Sequence, residues 1–381
     1  MPDTESPLIP GQAIRLTGVT KSWGKTTAIN GIDLHIPAGS FTVLLGPSGC
    51  GKSTTLRMIA GLESLDSGTI QIDGRDVSRL ASDQRNLSMV FQSYALFPHL
   101  TVAENIVFGL KVKRVGRVER DRRLFETASL LELTDHLHKK PAALSGGQQQ
   151  RVALGRAIIS RRPVCLMDEP LSNLDARLRG EMRAELRALQ KQLGFTMVYV
   201  THDQVEAITM ADQVVLMRDG QIEQIAPPHE IYAHPATSFA ASFIGTPPMN
   251  LLSGKAFGES LHGVPHRSLR FGLRPEDLYA DPSGPLRGEL LSSEFLGADT
   301  LLHCEIEGEP LTARVSGRVQ AQPGAFVGFS FEPEALHIFD AATGQRNDDI
   351  TADFGPFLDP NGTELSELTL HSHNKYPNRR A

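Results

Sequence analysis

The chain is poor in cysteine, in long apolar runs and in excess positive charge. Cys50, Cys165 and Cys304 are its only cysteines in 381 residues. Their odd number and wide spacing suggest neither a disulfide framework nor a zinc site, and a reducing compartment fits. No apolar stretch reaches the ~20 residues that would span a bilayer. Residues 1–10 carry acids and prolines where a signal peptide has a basic start and an apolar core. The formal net charge of −6 argues against nucleic acid as the main partner. The expectation is a cytosolic chain that reaches a membrane only through partner subunits.

What is present is ordinary globular material, 40% hydrophobic and 22% charged, long enough for more than one core. Short apolar runs at 41–45, 164–167 and 197–200 alternate with helical stretches, which predicts an α/β core around a largely parallel sheet over 12–235. Residues 176–193 repeat leucine and methionine at helical spacing and stop at Gly194. A helical subdomain is expected over about 93–160. Prolines and glycines at 227–248 predict a linker over 236–249. Beyond it the pattern becomes period two. Leu302, Cys304 and Ile306, a Gly308-Glu309 turn, then Leu311, Ala313 and Val315 read as a hairpin in a small antiparallel barrel or sandwich over 250–345. Residues 346–381 are polar and read as a disordered tail, with His371 and His373 solvated in it.

Gly46-Pro47-Ser48-Gly49-Cys50-Gly51-Lys52-Ser53-Thr54 follows an apolar run and opens an amphipathic stretch. This strand, loop and helix order is a cradle for a nucleoside triphosphate. Backbone N–H groups turn onto the anionic oxygens, Lys52 reaches the β and γ phosphates, and the Ser53 hydroxyl ligates Mg²⁺. Cys50 sits at a helix N-terminus, a setting that can depress a thiol pKa, but it reads first as a small side chain that fits the turn, with no catalytic role. The acids come at the end of a strand: Val164-Cys165-Leu166-Met167-Asp168-Glu169 offers Asp168 to the metal and Glu169 to the attacking water as general base.

Leu144-Ser145-Gly146-Gly147-Gln148, before a helix, is a second anion-type turn, and one triphosphate does not need two. With it the chain resembles the ATP-binding cassette family. The resemblance implies a head-to-tail homodimer in which Ser145, Gly146, Gly147 and Gln148 of one subunit close on the γ-phosphate held by Lys52 of the other, with Asp175 crossing the interface. It also implies that Gln92 touches metal and water, that His202 hydrogen-bonds the γ-phosphate, and that Trp23 stacks on adenine, as aromatic rings do on bases.

The stretches around Gln92, Thr101-Val102-Ala103-Glu104-Asn105 and Thr201-His202-Asp203-Gln204-Val205-Glu206-Ala207 are similar to ATPase subunits of binding-protein-dependent importers. In such subunits the segment holding Pro98, Thr101, Glu104 and Asn105 docks one of two membrane permease subunits, served by a solute-binding protein outside. Gly272-Leu273-Arg274-Pro275-Glu276-Asp277 is similar to the oligonucleotide-binding-like regulatory domain of the sugar-type importers, a receiver of regulatory proteins. Residues 19–23 and 336–346 most resemble the sn-glycerol-3-phosphate type. Maltose or another oligosaccharide, and more remotely polyamine or iron, are the alternative cargoes. A cassette ATPase outside transport would bring two cassettes or a coiled-coil insertion, and the sequence has neither.

Overall fold

The computed structural model describes residues 10–262, 268–319, 322–348 and 353–354, and falls into two units, 1–231 and 232–381. The first unit runs β1 (Ile14–Trp23), β2 (Thr26–Ile36), β3 (Phe41–Leu45), α1 (Lys52–Ala60), β4 (Ser67–Ile72), β5 (Arg75–Asp76), β6 (Leu87–Val90), α2 (Val102–Val112), α3 (Arg117–Leu130), α4 (Gly146–Ile158), β7 (Val164–Asp168), α5 (Ala176–Leu193), β8 (Thr196–Val200), α6 (Gln204–Met210), β9 (Gln213–Arg218) and β10 (Gln221–Ala226). The division falls within α7 (Pro228–Ala233).

A six-stranded sheet in the order β10-β9-β3-β8-β7-β6 forms the centre. All its pairings are parallel except β10 with β9. Strands β3, β7 and β8 are buried along their whole length. Continuous apolar runs suit that environment, because the strands are covered on both faces. Each fully buried valine or leucine there contributes about 1.5–3 kcal/mol. In α5, Met182, Leu186, Leu189 and Leu193 are buried, as their spacing predicts. A separate antiparallel sheet, β2-β1-β4-β5, shares the apolar core through Ile14, Leu16, Leu34 and Ile36.

The arrangement of the parallel strands places the site. Their carboxyl ends all point one way, and the turns leaving β3, β6, β7 and β8 carry the phosphate loop, Gln92, Asp168–Glu169 and His202. Ligands of open α/β sheets bind at this edge.

The second unit continues with α8 (Ser238–Phe243), β11 (Asn250–Ser253), β12 (Leu261–His262), β13 (Leu269–Leu273), β14 (Tyr279–Ala280), β15 (Leu286–Phe295), β16 (Asp299–Ile306), β17 (Glu309–Ser316), β18 (Phe326–Ser330), β19 (His337–Asp340) and β20 (Asp353–Phe354). Its pairings are antiparallel throughout. The hairpin read from alternation is β16–β17, in register from Asp299↔Ser316 to Ile306↔Glu309. Glu307 and Gly308 both take positive φ, as a two-residue turn matched to strand twist requires.

Two expectations are corrected here. Residues 236–249 do not form a simple linker. Thr237 caps α8 through the Ala240 N–H, and Ala241 packs with Met249 and Phe339 in a small core of the second unit. Pro and Gly mark a chain break but do not reveal that the residues between them are covered. The tail is also not free from its start: the Arg346 N–H donates to the Ala236 carbonyl, the Asn347 N–H donates to that of Ile338, and β20 pairs with β12. Residues 355–381, with His371 and His373, lie outside the described residues.

Candidate functional site

The phosphate loop leaves β3 in a conformation open only to glycine at its critical points. Gly46 has φ +150 and Gly51, the residue before α1, has φ +106. A Cβ on Gly46 would meet the Met217 carbonyl oxygen at 2.2 Å. The Lys52 side chain folds back over the loop, its Nζ donating to the carbonyls of Gly46 and Pro47 at 2.8 Å each. Gly49 has φ +81, Pro47, Ser48 and Thr54 complete the surround, and the α1 dipole begins behind them. Cys50 is not an activated thiol. Its thiol is buried, and burial pushes its pKa up despite Lys52 Nζ 3.8 Å from Sγ. The helix N-terminus and lysine are outweighed by lost hydration.

Opposite the loop, the end of β7 supplies the acids. Ser53 Oγ donates to Asp168 Oδ1 at 2.8 Å although the two residues are 115 apart in sequence. Asp168 is buried, with Arg57 Nη2 3.8 Å from Oδ2. A hydroxyl beside a buried carboxylate is a hard oxygen pair, the donor type Mg²⁺ takes while keeping water and phosphate ligands. Among the described residues no cluster of three His, Cys, Asp or Glu forms an all-protein cage. Glu169 is held in the left-handed region, φ +46, with its N–H on the Val200 carbonyl at 3.1 Å. Its Oε2 accepts from Gln92 Nε2 at 3.4 Å and lies 3.3 Å from His202 Nδ1. Three residues from three turns thus meet at one carboxylate oxygen.

Beneath His202 lies a group to which sequence reasoning gave no role. Glu206 is buried and bonded to Tyr199 and Thr201, and Arg179 lies 3.4 Å from Asp203. A glutamate in the motif that follows His202, on the buried face of α6, was its one visible signal.

The second anion-type turn, at Ser145–Gln148, is a helix cap. Ser145 Oγ accepts from the Gln148 N–H, and the Gln148 side-chain oxygen accepts from the Ser145 N–H at 3.0 Å. Gln148 Nε2 also lies 2.9 Å from His136 Nε2. Gln148, expected to face a partner subunit, caps its own helix in this chain and is half-buried. Ser145 and Gly146 stay exposed, and Gly147 leaves room for Leu178, whose Cδ2 would be 3.0 Å from a Cβ there. Asp175 caps α5 through the Leu178 N–H and is exposed. Trp23 is half exposed, with Lys21 Nζ 5.7 Å from its ring centre.

Of the expected docking residues, Pro98 is exposed, while Thr101 and Glu104 close the capping box of α2. Asn105 is corrected: it is fully buried, accepts from the Phe97 N–H at 2.9 Å and donates to the carbonyls of Phe97, Leu100 and Thr101. It shapes the 97–101 turn from inside and presents nothing to a partner.

Known proteins with this geometry are numerous. The ABC transporter family model matches residues 29–172 and the TOBE domain model residues 271–339. The chain is 48% identical over 350 residues to the sn-glycerol-3-phosphate import ATP-binding protein UgpC 2 of Agrobacterium fabrum, covering 87% of this chain and 94% of that relative. It is 46% identical over 346 residues to UgpC of Ruegeria pomeroyi (88% and 99% covered), and 45% over 366 residues to the trehalose/maltose import ATP-binding protein MalK of Thermococcus litoralis (87% and 98%). Among solved structures, a dimeric post-hydrolysis state of the ATP-binding cassette MJ0796 bound to ADP and Pi aligns with a TM-score of 0.51 and 34% identity, covering 56% of this chain and 98% of that one. A phosphate loop, strand-end acids and a second, capped anion-type turn on a parallel sheet, followed by an antiparallel β unit, therefore place this chain in the ATP-binding cassette transporter family, as an ATPase carrying a TOBE domain.

Proposed function

We propose that this chain is the ATP-hydrolysing subunit of a binding-protein-dependent importer, working as a homodimer beneath two membrane permease subunits, with sn-glycerol-3-phosphate as cargo. The observation that carries the catalytic part is the meeting of Gln92, Glu169 and His202 beside the Ser53–Asp168 pair. Lys52 and the loop N–H groups hold the β and γ phosphates. Glu169 takes the proton of the attacking water, while Gln92 and His202 fix that water and the γ-phosphate. Ser53 and Asp168, with Gln92, would hold Mg²⁺, which neutralises charge on the phosphate oxygens when bound. Trp23 stacks on the adenine. Ser145, Gly146 and Gly147 complete the site from the second subunit, with Asp175 at the interface, and the exposure of Ser145, Gly146 and Asp175 supports that role.

Among the described residues no helix is long and apolar enough to cross a membrane. The import ATP-binding relatives support placing the subunit at the cytoplasmic face of the membrane, held there by its permeases through the surface near Pro98. The TOBE unit is the place for a regulatory protein.

The relatives named for sn-glycerol-3-phosphate import support the cargo; the trehalose/maltose relative keeps a second reading open. The test is uptake of labelled sn-glycerol-3-phosphate and maltose by cells carrying the chain with its neighbouring permease genes. Uptake of the phosphate ester alone supports the proposal, and uptake of maltose alone selects the alternative. Ser145→Arg should spare nucleotide binding by single subunits and abolish hydrolysis. Loss of binding instead would argue against a Ser145 contact from the partner.

A further inference from the structure

The His202 side chain is 60% exposed. Its position is therefore set by the backbone beneath it more than by packing on the ring. That backbone is enclosed in a ring of hydrogen bonds. Glu206 Oε2 accepts from Tyr199 Oη at 2.9 Å and from Thr201 Oγ1 at 2.7 Å. Thr201 Oγ1 accepts in turn from the Asp203 N–H at 3.0 Å, so one hydroxyl grips both sides of His202. Asp203 Oδ1 accepts from the N–H groups of Val205 and Glu206, returning the ring to the helix that carries the carboxyl.

Three members of this ring are shielded from solvent, Tyr199 fully buried and Thr201 and Glu206 each 3% exposed, while Asp203 stays partly exposed at its rim. Burial pushes the Glu206 carboxyl and the Tyr199 phenol up; Asp203 adds to both shifts and Arg179 opposes them. A leucine would fill this space without the cost of burying a carboxyl group. What it would lack is the directional hold on Thr201.

We propose that Glu206 is a positioning residue for hydrolysis: acting through the Thr201 hydroxyl, it fixes the turn on which His202 reaches Glu169. This rests on the reading of His202 as the group that contacts the γ-phosphate and the water. Misplacing such a group by about 1 Å costs on the order of 10²-fold in rate.

The test is kcat and KM for ATP in the full-length chain, with melting temperature alongside, for Thr201→Val, Thr201→Ser, Glu206→Leu, Glu206→Gln and His202→Ala. Thr201→Val and Glu206→Leu should lower kcat by ~10²-fold with KM changed less than about twofold. Thr201→Ser and Glu206→Gln keep a hydroxyl and an acceptor and should recover most of the rate. Thr201→Val combined with His202→Ala should be no slower than His202→Ala alone, since both act through one group. If Glu206→Leu does not fold, the near-isosteric Thr201→Val carries the test. Full additivity in the double variant, or equal loss in Val and Ser, would overturn the inference. A slow His202→Ala beside a fast Thr201→Val would overturn it alone, whereas a fast His202→Ala would remove the reading of the histidine and the inference with it.

Discussion

Glu169→Gln isolates proton transfer from every other task of the site. The side chain keeps its shape, and both neighbours address the same oxygen: Gln92 Nε2 at 3.4 Å and His202 Nδ1 at 3.3 Å from Oε2. A glutamine oxygen in that place still accepts from Gln92 and stays beside His202 Nδ1. The backbone bond to Val200 and the left-handed φ are untouched by the change. Folding stability should therefore move by less than about 1 kcal/mol, the size of one net hydrogen bond. What disappears is the proton acceptor, and general-base assistance contributes typically 10²–10⁴-fold. At 1.36 kcal/mol per decade the barrier should rise by about 2.7–5.4 kcal/mol. Phosphate release measured at saturating ATP should fall by that factor, with nucleotide affinity retained and an ATP-bound dimer accumulating on size exclusion. Turnover within about threefold of the wild type would refute the assignment of Glu169 as base. Turnover and nucleotide affinity lost together would mean that the carboxylate mainly builds the pocket.

Three further outcomes follow from the packing. Gly51→Ala should cost at least about 2 kcal/mol in chemical denaturation and weaken nucleotide binding, because φ +106 and a Cβ 2.4 Å from Ile29 Cδ1 add strain to overpacking; an unchanged midpoint would contradict this. Arg85 is buried, and its guanidinium donates to the carbonyls of Met58, Ile59, Leu80 and Ser78. Arg85→Met leaves the last turn of α1 without those donors and should destabilise by about 3 kcal/mol, read as a lower urea midpoint at constant slope. His337 is buried against Arg346 Nη1, 2.8 Å away, and burial followed by that positive charge pulls its pKa down to about 4. Its folded value lies below the unfolded one, so the unfolded chain binds the proton first, and stability should fall as pH drops from about 6.5 towards 4. His337→Gln should flatten that part of the melting-temperature profile; an unaltered slope would assign the acid sensitivity to other groups.

The sequence by itself determined whatever depends on near neighbours along the chain. The glycines of residues 46–51 dictate a loop that only they can follow, the buried runs at 41–45, 164–168 and 196–200 form central strands, and the alternation around Gly308 forms a hairpin, its turn at Glu307-Gly308 one residue earlier than read. Tertiary structure decided what depends on who arrives from elsewhere. Ser53 meets Asp168 only because β3 and β7 both flank β8 in one parallel sheet. Asn105 and Gln148 look like surface recognition residues on paper, yet turn folding and helix capping claim them first. Cys50 sits where local dipoles favour a thiolate, but enclosure by the sheet reverses the outcome. Glu206 stands in the motif that follows His202, but only the fold shows that Tyr199 and Thr201 close over it. Backbone conformation and periodicity are short-range and can be read in order, whereas desolvation and hydrogen-bond partnership are set by the whole fold.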